Sequence, residues 1–141
     1  MIKKLNGFRM PAEWEIQKSV WMSWPHNKKD WPGLFDKIPS VIGNIIKLLA
    51  KDQRIDLLVN TSKSRDNTKR YLKKIGCNVS NIKFHNIKTD RLWLRDSGPI
   101  FLINKKNKKK VMLNFRFNAW SKYKNFKNDN KINSYISKYL N

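Results

Sequence analysis

The chain has 141 residues, 40% of them hydrophobic and 12% aromatic, with 31 Lys and Arg against 10 Asp and Glu for a formal charge of +21. That length accommodates one domain with a real core, and the apolar and aromatic content excludes a disordered tail. No apolar run approaches the roughly 20 residues of a membrane span, and the basic opening "MIKKLNGFRM" has no apolar segment behind it to make a signal peptide, so a cytoplasmic protein is expected.

"SVWMSWPH", 19 to 26, reads as a short buried strand ended by Pro25. "NKKDWPGLF" follows as a loop punctuated by Pro32 and Gly33. From Asp36 to about Lys51, Ile38, Val41, Ile42, Ile45 and Leu49 recur at helical spacing, and Pro39 suits a first turn. "RIDLLVN", 54 to 60, has strand composition, and "TSKSRDNTKRYLKKIG" then opens on hydroxyl N-cap residues and closes on Gly76. Cys77 is the one cysteine, which excludes an internal disulfide; directly after a helix stop it reads as a packing residue rather than a nucleophile. "NIKFHNI", 81 to 87, is another short strand, and its His85 reads as a surface or core histidine.

"GPIFLIN" and "KKVMLNFRF" predict two strands joined across the lysine-rich tip "NKKNKKKV", 104 to 111. In the basic tail, Ile132, Tyr135, Ile136 and Leu140 sketch a last helix, whose apolar face nothing in the remaining sequence covers. Strands alternating with helices indicate α/β architecture over 1 to 141 without a linker, and the hairpin predicts a mixed rather than a purely parallel sheet. The charge of +21 raises a nucleic-acid or anionic-surface partner as an alternative function. Its lysines are spread along the chain among asparagines, which reads as solvated surface rather than a designed patch, and speaks against nucleic acid.

"DRLWLRDSGPIF", 90 to 101, gathers two Asp, two Arg and a Trp just before a Gly-Pro turn. If 91 to 96 is extended, the period of two puts Arg91, Trp93 and Arg95 on one face and Leu92, Leu94 and Asp96 on the other. A carboxylate on a leucine face needs a cation or several donors. The residues admit two readings. Asp96 in "DSGP" can form an Asx-type turn neutralised by Arg91 or Arg95; or Asp96 and Trp93 together hold a flat cation, the carboxylate offering forked acceptors and the indole its negative face. Metal-ligand spacing, a phosphate-cradling glycine loop and a Ser/His/Asp pattern are all missing, and His26 has no neighbouring carboxylate in sequence.

Four blocks, "MPAEWEIQKSVWMSWPH", "NKKDWPG", "DRLWLRDSGPIFLIN" and "LNFRFNAW", closely resemble the agmatine deiminase family, a relative of the bacterial peptidylarginine deiminases, in the family's own order and spacing. The resemblance implies a partial pentein (α/β propeller) fold, about the first two ββαβ-type modules, making 1 to 141 the N-terminal portion of a deiminase domain that is incomplete at its C-terminus. It implies hydrolysis of agmatine's guanidinium to N-carbamoylputrescine and ammonia, a putrescine-forming step, with no cofactor and no metal. A cysteine thiolate attacks the guanidinium carbon and a histidine handles protons. The motif's acid and indole, Asp96 and Trp93, become substrate-binding residues, with Asp90 and Arg95 as supporting ones. The family's glycine-rich segment, catalytic histidine and nucleophilic cysteine fall after the matched blocks; Cys77, His26 and His85 do not match their contexts, and "SKY" replaces the glycines that follow "FNAW". This chain is therefore expected to carry part of a binding site and to be inactive alone. Its expected partners are a guanidino substrate, and either a complementary C-terminal chain or further copies of itself meeting at an exposed apolar flank.

Overall fold

The computed structural model describes residues 5 to 140, so the first four residues of the basic opening stretch and Asn141 lie outside it. In chain order the elements are β1 (Phe8–Arg9), β2 (Val20–Ser23), α1 (Ile38–Leu49), β3 (Ile55–Val59), α2 (Ser62–Lys74), β4 (Ile82–Asn86), α3 (Leu94–Ser97), β5 (Ile100–Asn104), β6 (Lys110–Leu113) and α4 (Ile132–Leu140). The local signals account for most boundaries. Pro39 sits in the first turn of α1. Thr61 caps α2 by accepting from the Ser64 amide at 3.0 Å, and Gly76, at φ +75°, supplies the left-handed residue that ends it.

Strands β2, β3 and β4 form a parallel three-stranded sheet, because each pair is joined by a crossover helix. The hairpin strands β5 and β6 stand in a second sheet, antiparallel, with β1 zipped along the other side of β5. Both pairing directions are thus present, divided between two sheets rather than mixed within one. The tight turn after Asn104, whose side chain accepts the Lys106 amide at 2.9 Å, forces the hairpin to pair with itself.

All five residues of β3 are buried. Ile55 and Leu57 face one way, into a core with Ile46 and Ala50 of the α1 end, Leu72 of α2, Ile82 and Cys77. Burial there pushes the Cys77 thiol upward, so it packs, as its sequence context predicts. Leu58 faces the other way, toward Ile87, Ile132 and Ile136, with Trp21, Leu94, Phe101 and Met112 around them. On that same side of β3, Asp56 accepts from His85 Nε2 at 2.8 Å, in a buried pair closed over by Trp21 and Tyr139.

The apolar face of α4 is covered at its two isoleucines, while Tyr135 and Leu140 stay exposed. Ile132 and Ile136 are fully buried in the seam between the two sheets, each burial stabilising the fold by about 1.5–3 kcal/mol. What the sequence hides is the return of the chain: the apolar partners of α4 lie from 20 residues upstream, at Met112, to more than 100, at Trp21. Open apolar side chains also occur on the outer side of α1, at Val41, Ile45 and Leu48. None of the helices among the described residues is long and apolar enough to cross a membrane.

Candidate functional site

Residues 91 to 96 are not extended. Bends at 90 to 92 lead into the single turn α3, closed by Gly98 N–H donating to the Leu94 carbonyl at 2.7 Å and Ser97 Oγ donating to the Trp93 carbonyl at 3.0 Å. A Cβ at Gly98 would stand 2.4 Å from the Leu94 carbonyl oxygen, so this closure requires glycine. At about 100° per residue, Leu94 and Asp96 diverge. Leu94 packs into the core, and Asp96 is exposed rather than drawn onto a leucine face.

The two arginines beside it are engaged elsewhere. Arg91 is buried, pairs with the Asp30 carboxylate, whose side chain is 3% exposed, donates to Asn125 Oδ1, and lays its guanidinium on the Tyr123 ring at 3.8 Å. Arg95 is exposed and reaches Glu13 at 2.6 Å. Asp90 accepts from the Asn128 backbone and side-chain amides, both at 2.7 Å. Asp129 returns the contact, accepting the Asp90 and Arg91 amides at 2.8 and 3.2 Å. Burial of this carboxylate raises its pKa to about 6, even though the two amides oppose the shift. Behind the same loop, His26 Nε2 bonds Thr89 Oγ1 at 2.9 Å, and desolvation lowers the pKa of the ring.

These contacts frame a cavity of about 280 Å³ walled by Asp30, Trp93, Trp120, Lys122 and Tyr123. Trp93 is 42% exposed and tilts against Trp31, ring centres 5.5 Å apart. Asp96 joins this wall through Trp120, whose indole Nε1–H donates to its Oδ1 at 3.2 Å. Of the residues singled out from sequence, Trp93 lines the cavity and Asp96 is tied to its wall through Trp120. Asp90 points to Asn128 and Arg95 to Glu13.

Asp30, Trp120, Lys122 and Tyr123 carry no role in the sequence reading. Asp30 and Trp120 do lie within the quoted blocks "NKKDWPG" and "FNAW", and "KDW" repeats the pairing of an acid with an indole. Nothing local shows that Asp30 meets an arginine 61 residues on. An arrangement of indole faces around an accessible carboxylate suits a planar cation. Cys77 belongs to the core between the parallel sheet and its helices, and is not part of this cavity. Among the described residues no group of three or more His, Cys, Asp or Glu is placed to hold a metal ion.

An agmatine deiminase of Pseudomonas savastanoi pv. phaseolicola is 32% identical over 117 residues, which are 83% of this chain and 30% of that protein. One from Pseudomonas aeruginosa is 28% identical over the same shares. The solved structure of a C. jejuni agmatine deiminase with substrate bound superposes with a TM-score of 0.76 at 26% identity, over 93% of this chain and 36% of its own. The chain thus spans about a third of the length of the proteins it matches, and its fold is the corresponding part of a pentein, about two modules. A family model described as Porphyromonas-type peptidyl-arginine deiminase matches residues 9 to 141, and the chain, with Trp93, Asp96 and the cavity wall inside that match, belongs to this family.

Proposed function

We propose that this chain forms the guanidino-holding wall of an agmatine deiminase-type hydrolase, and that these 141 residues do not turn over substrate by themselves. The observation that carries the reading is the state of Asp96. Both neighbouring arginines are paired with other acids, Arg91 with Asp30 and Arg95 with Glu13, while among the described residues Asp96 accepts one hydrogen bond, from the indole N–H of Trp120 in the wall of an aromatic cavity. A guanidinium ion laid against Trp93 would find acceptors on Asp96 without displacing a protein cation.

In the complete reaction, water replaces one nitrogen of agmatine's guanidinium, yielding N-carbamoylputrescine and ammonia. The covalent step needs a thiolate beside the guanidinium carbon. Cys77 is 8% exposed in the other core and its thiol is held protonated by burial, so it does not serve. The nucleophile and the proton-handling histidine come from protein beyond these residues, in keeping with the 30% share of the relatives that is matched.

Isothermal titration of agmatine into the chain and into Asp96→Ala tests the reading, with ammonia release followed in parallel. Saturable binding that weakens at least tenfold in the variant, with no ammonia produced, is expected. Equal affinity of the two proteins removes the guanidino assignment, and ammonia release from this chain alone removes the claim that it is catalytically incomplete.

A further inference from the structure

The segment after Phe117 makes an unusual turn. Ala119, Trp120 and Ser121 stand in sequence at φ 51°, 55° and 57°, all left-handed and none of them glycine. Each such residue is disfavoured against the right-handed alternative, because its Cβ crowds the following carbonyl oxygen. The surrounding structure is strong enough to impose this. Asn130 grips Phe117 on both sides, accepting its amide at 2.9 Å and donating to its carbonyl at 2.7 Å. Ala119 is fully buried, Asn118 Nδ2 donates to Ser121 Oγ at 3.0 Å, and the Ser121 and Lys122 amides close the turn on Asn118 and Ala119 at 3.0 Å.

Packing alone does not require that conformation at Trp120, because its ring is still 43% exposed. What the turn delivers is direction. The indole stands perpendicular to the Phe117 ring, centres 5.0 Å apart at 89°, and its one N–H donor is aimed at Asp96 Oδ1, 3.2 Å away. Without that contact Asp96 would be an exposed side chain on a one-turn helix, free to sample several rotamers. With it, one oxygen is fixed on the indole that walls the cavity together with Trp93, and the second accepts no hydrogen bond among the described residues.

We infer that Trp120 is a positioning residue for the cation site: its left-handed turn presets the Asp96 carboxylate in the orientation that receives a guanidinium. The inference rests on the guanidino-binding reading above and adds a residue to it. Its physical basis is preorganisation, since an acceptor whose rotamer is already selected loses less freedom when the ligand arrives.

Titrations of agmatine into the wild-type chain, Trp120→Phe and Asp96→Ala, with the indole N–H resonances followed by NMR, test this. Trp120→Phe keeps an aromatic wall and loses the donor, so affinity should fall three- to tenfold while the melting temperature changes by a few degrees at most. In the wild-type chain the Trp120 N–H resonance should shift along the agmatine isotherm, and in Asp96→Ala it should move to the position of a free indole. That second readout does not depend on the folding of the Trp120 variant. Wild-type affinity in Trp120→Phe, or a Trp120 resonance indifferent to both agmatine and the loss of Asp96, overturns the inference. Loss of binding in Asp96→Ala with full binding in Trp120→Phe overturns this inference alone, whereas full binding in Asp96→Ala removes the guanidino reading beneath it.

Discussion

In the parallel sheet every residue of β3 is buried, and Ile55, Leu57, Ile46 and Leu72 hold the layer together by apolar contact. Around the cavity the chain is held instead by Asp30 on Arg91, Asp90 on Asn128, Asp129 on the Asp90 and Arg91 amides, and Asn130 on Phe117. Apolar contact is non-directional, so the first region defines a scaffold whose atoms can shift by small amounts at modest cost. Polar contacts are directional and leave an unsatisfied partner when broken, so the second region places Asp96 and the indoles closely but fails abruptly. A site needing fixed orientation is built where the chain is tied mainly by hydrogen bonds and ion pairs, and it leans on a sheet held mainly by apolar contact, with the buried Asp56–His85 pair as its polar exception.

The contrast can be broken most strongly at Arg91. Replacing it with Leu leaves the Asp30 carboxylate buried without its cation and frees Asn125; a loss of about 3–5 kcal/mol is expected. Urea unfolding should show that loss, and agmatine binding should disappear with it in the fraction that remains folded. Stability loss with undiminished binding would show that the ion pair does not shape the cavity.

Leu57→Ala attacks the other region. Its side chain is fully buried, so about 2–5 kcal/mol should be lost, yet the agmatine affinity of the folded protein should stay within twofold. A large change in affinity would mean that the sheet transmits its packing to the cavity, and the comparison drawn above would need redrawing.

The smallest effect concerns pH. The folded-state pKa of Asp129 is raised from 3.8 to about 6, so the group favours the folded state when protonated. Its stabilising contribution is fully present below pH 4 and is lost as pH rises through about 6, on the order of 2 kcal/mol. His26 works in the opposite sense, since its lowered pKa makes the fold lose stability as the solution is acidified through the ordinary histidine range. The difference between the wild type and Asp129→Asn therefore isolates the carboxylate: the asparagine keeps an oxygen for both amides and should flatten that part of the slope between pH 4 and 6. Parallel curves across that range would show that Asp129 does not titrate there.

How much of this was readable beforehand follows the range of the interactions. Pro39, Thr61 and Gly76 mark helix ends through contacts within one turn, and they are where the sequence reading places them. Cys77 is buried, as its place after a helix stop implies, and of the surface and core positions open to His85 the structure takes the core. The extended conformation considered for residues 91 to 96 does not hold, because a period of two over six residues does not separate a strand from a bend followed by one helical turn. The local closure by Gly98 and Ser97 decides it. Trp93 and Asp96 were visible through the resemblance of their motif, but their meeting with Asp30 and Trp120 depends on chain returns that leave no periodic trace.

By itself the amino-acid sequence determined the alternation of strands and helices, the strand at 54 to 60, and the placing of an acid beside an indole ahead of a Gly-Pro turn, because each depends on neighbours a few residues apart. Only the tertiary structure decided that the hairpin builds a second sheet, that α4 fills the seam between the sheets, and that Asp30 takes Arg91 while Trp120 takes Asp96. Those choices are made by partners far apart along the chain. A buried charge accepts whichever counter-charge folding brings within reach, and the order of residues does not say which one that will be.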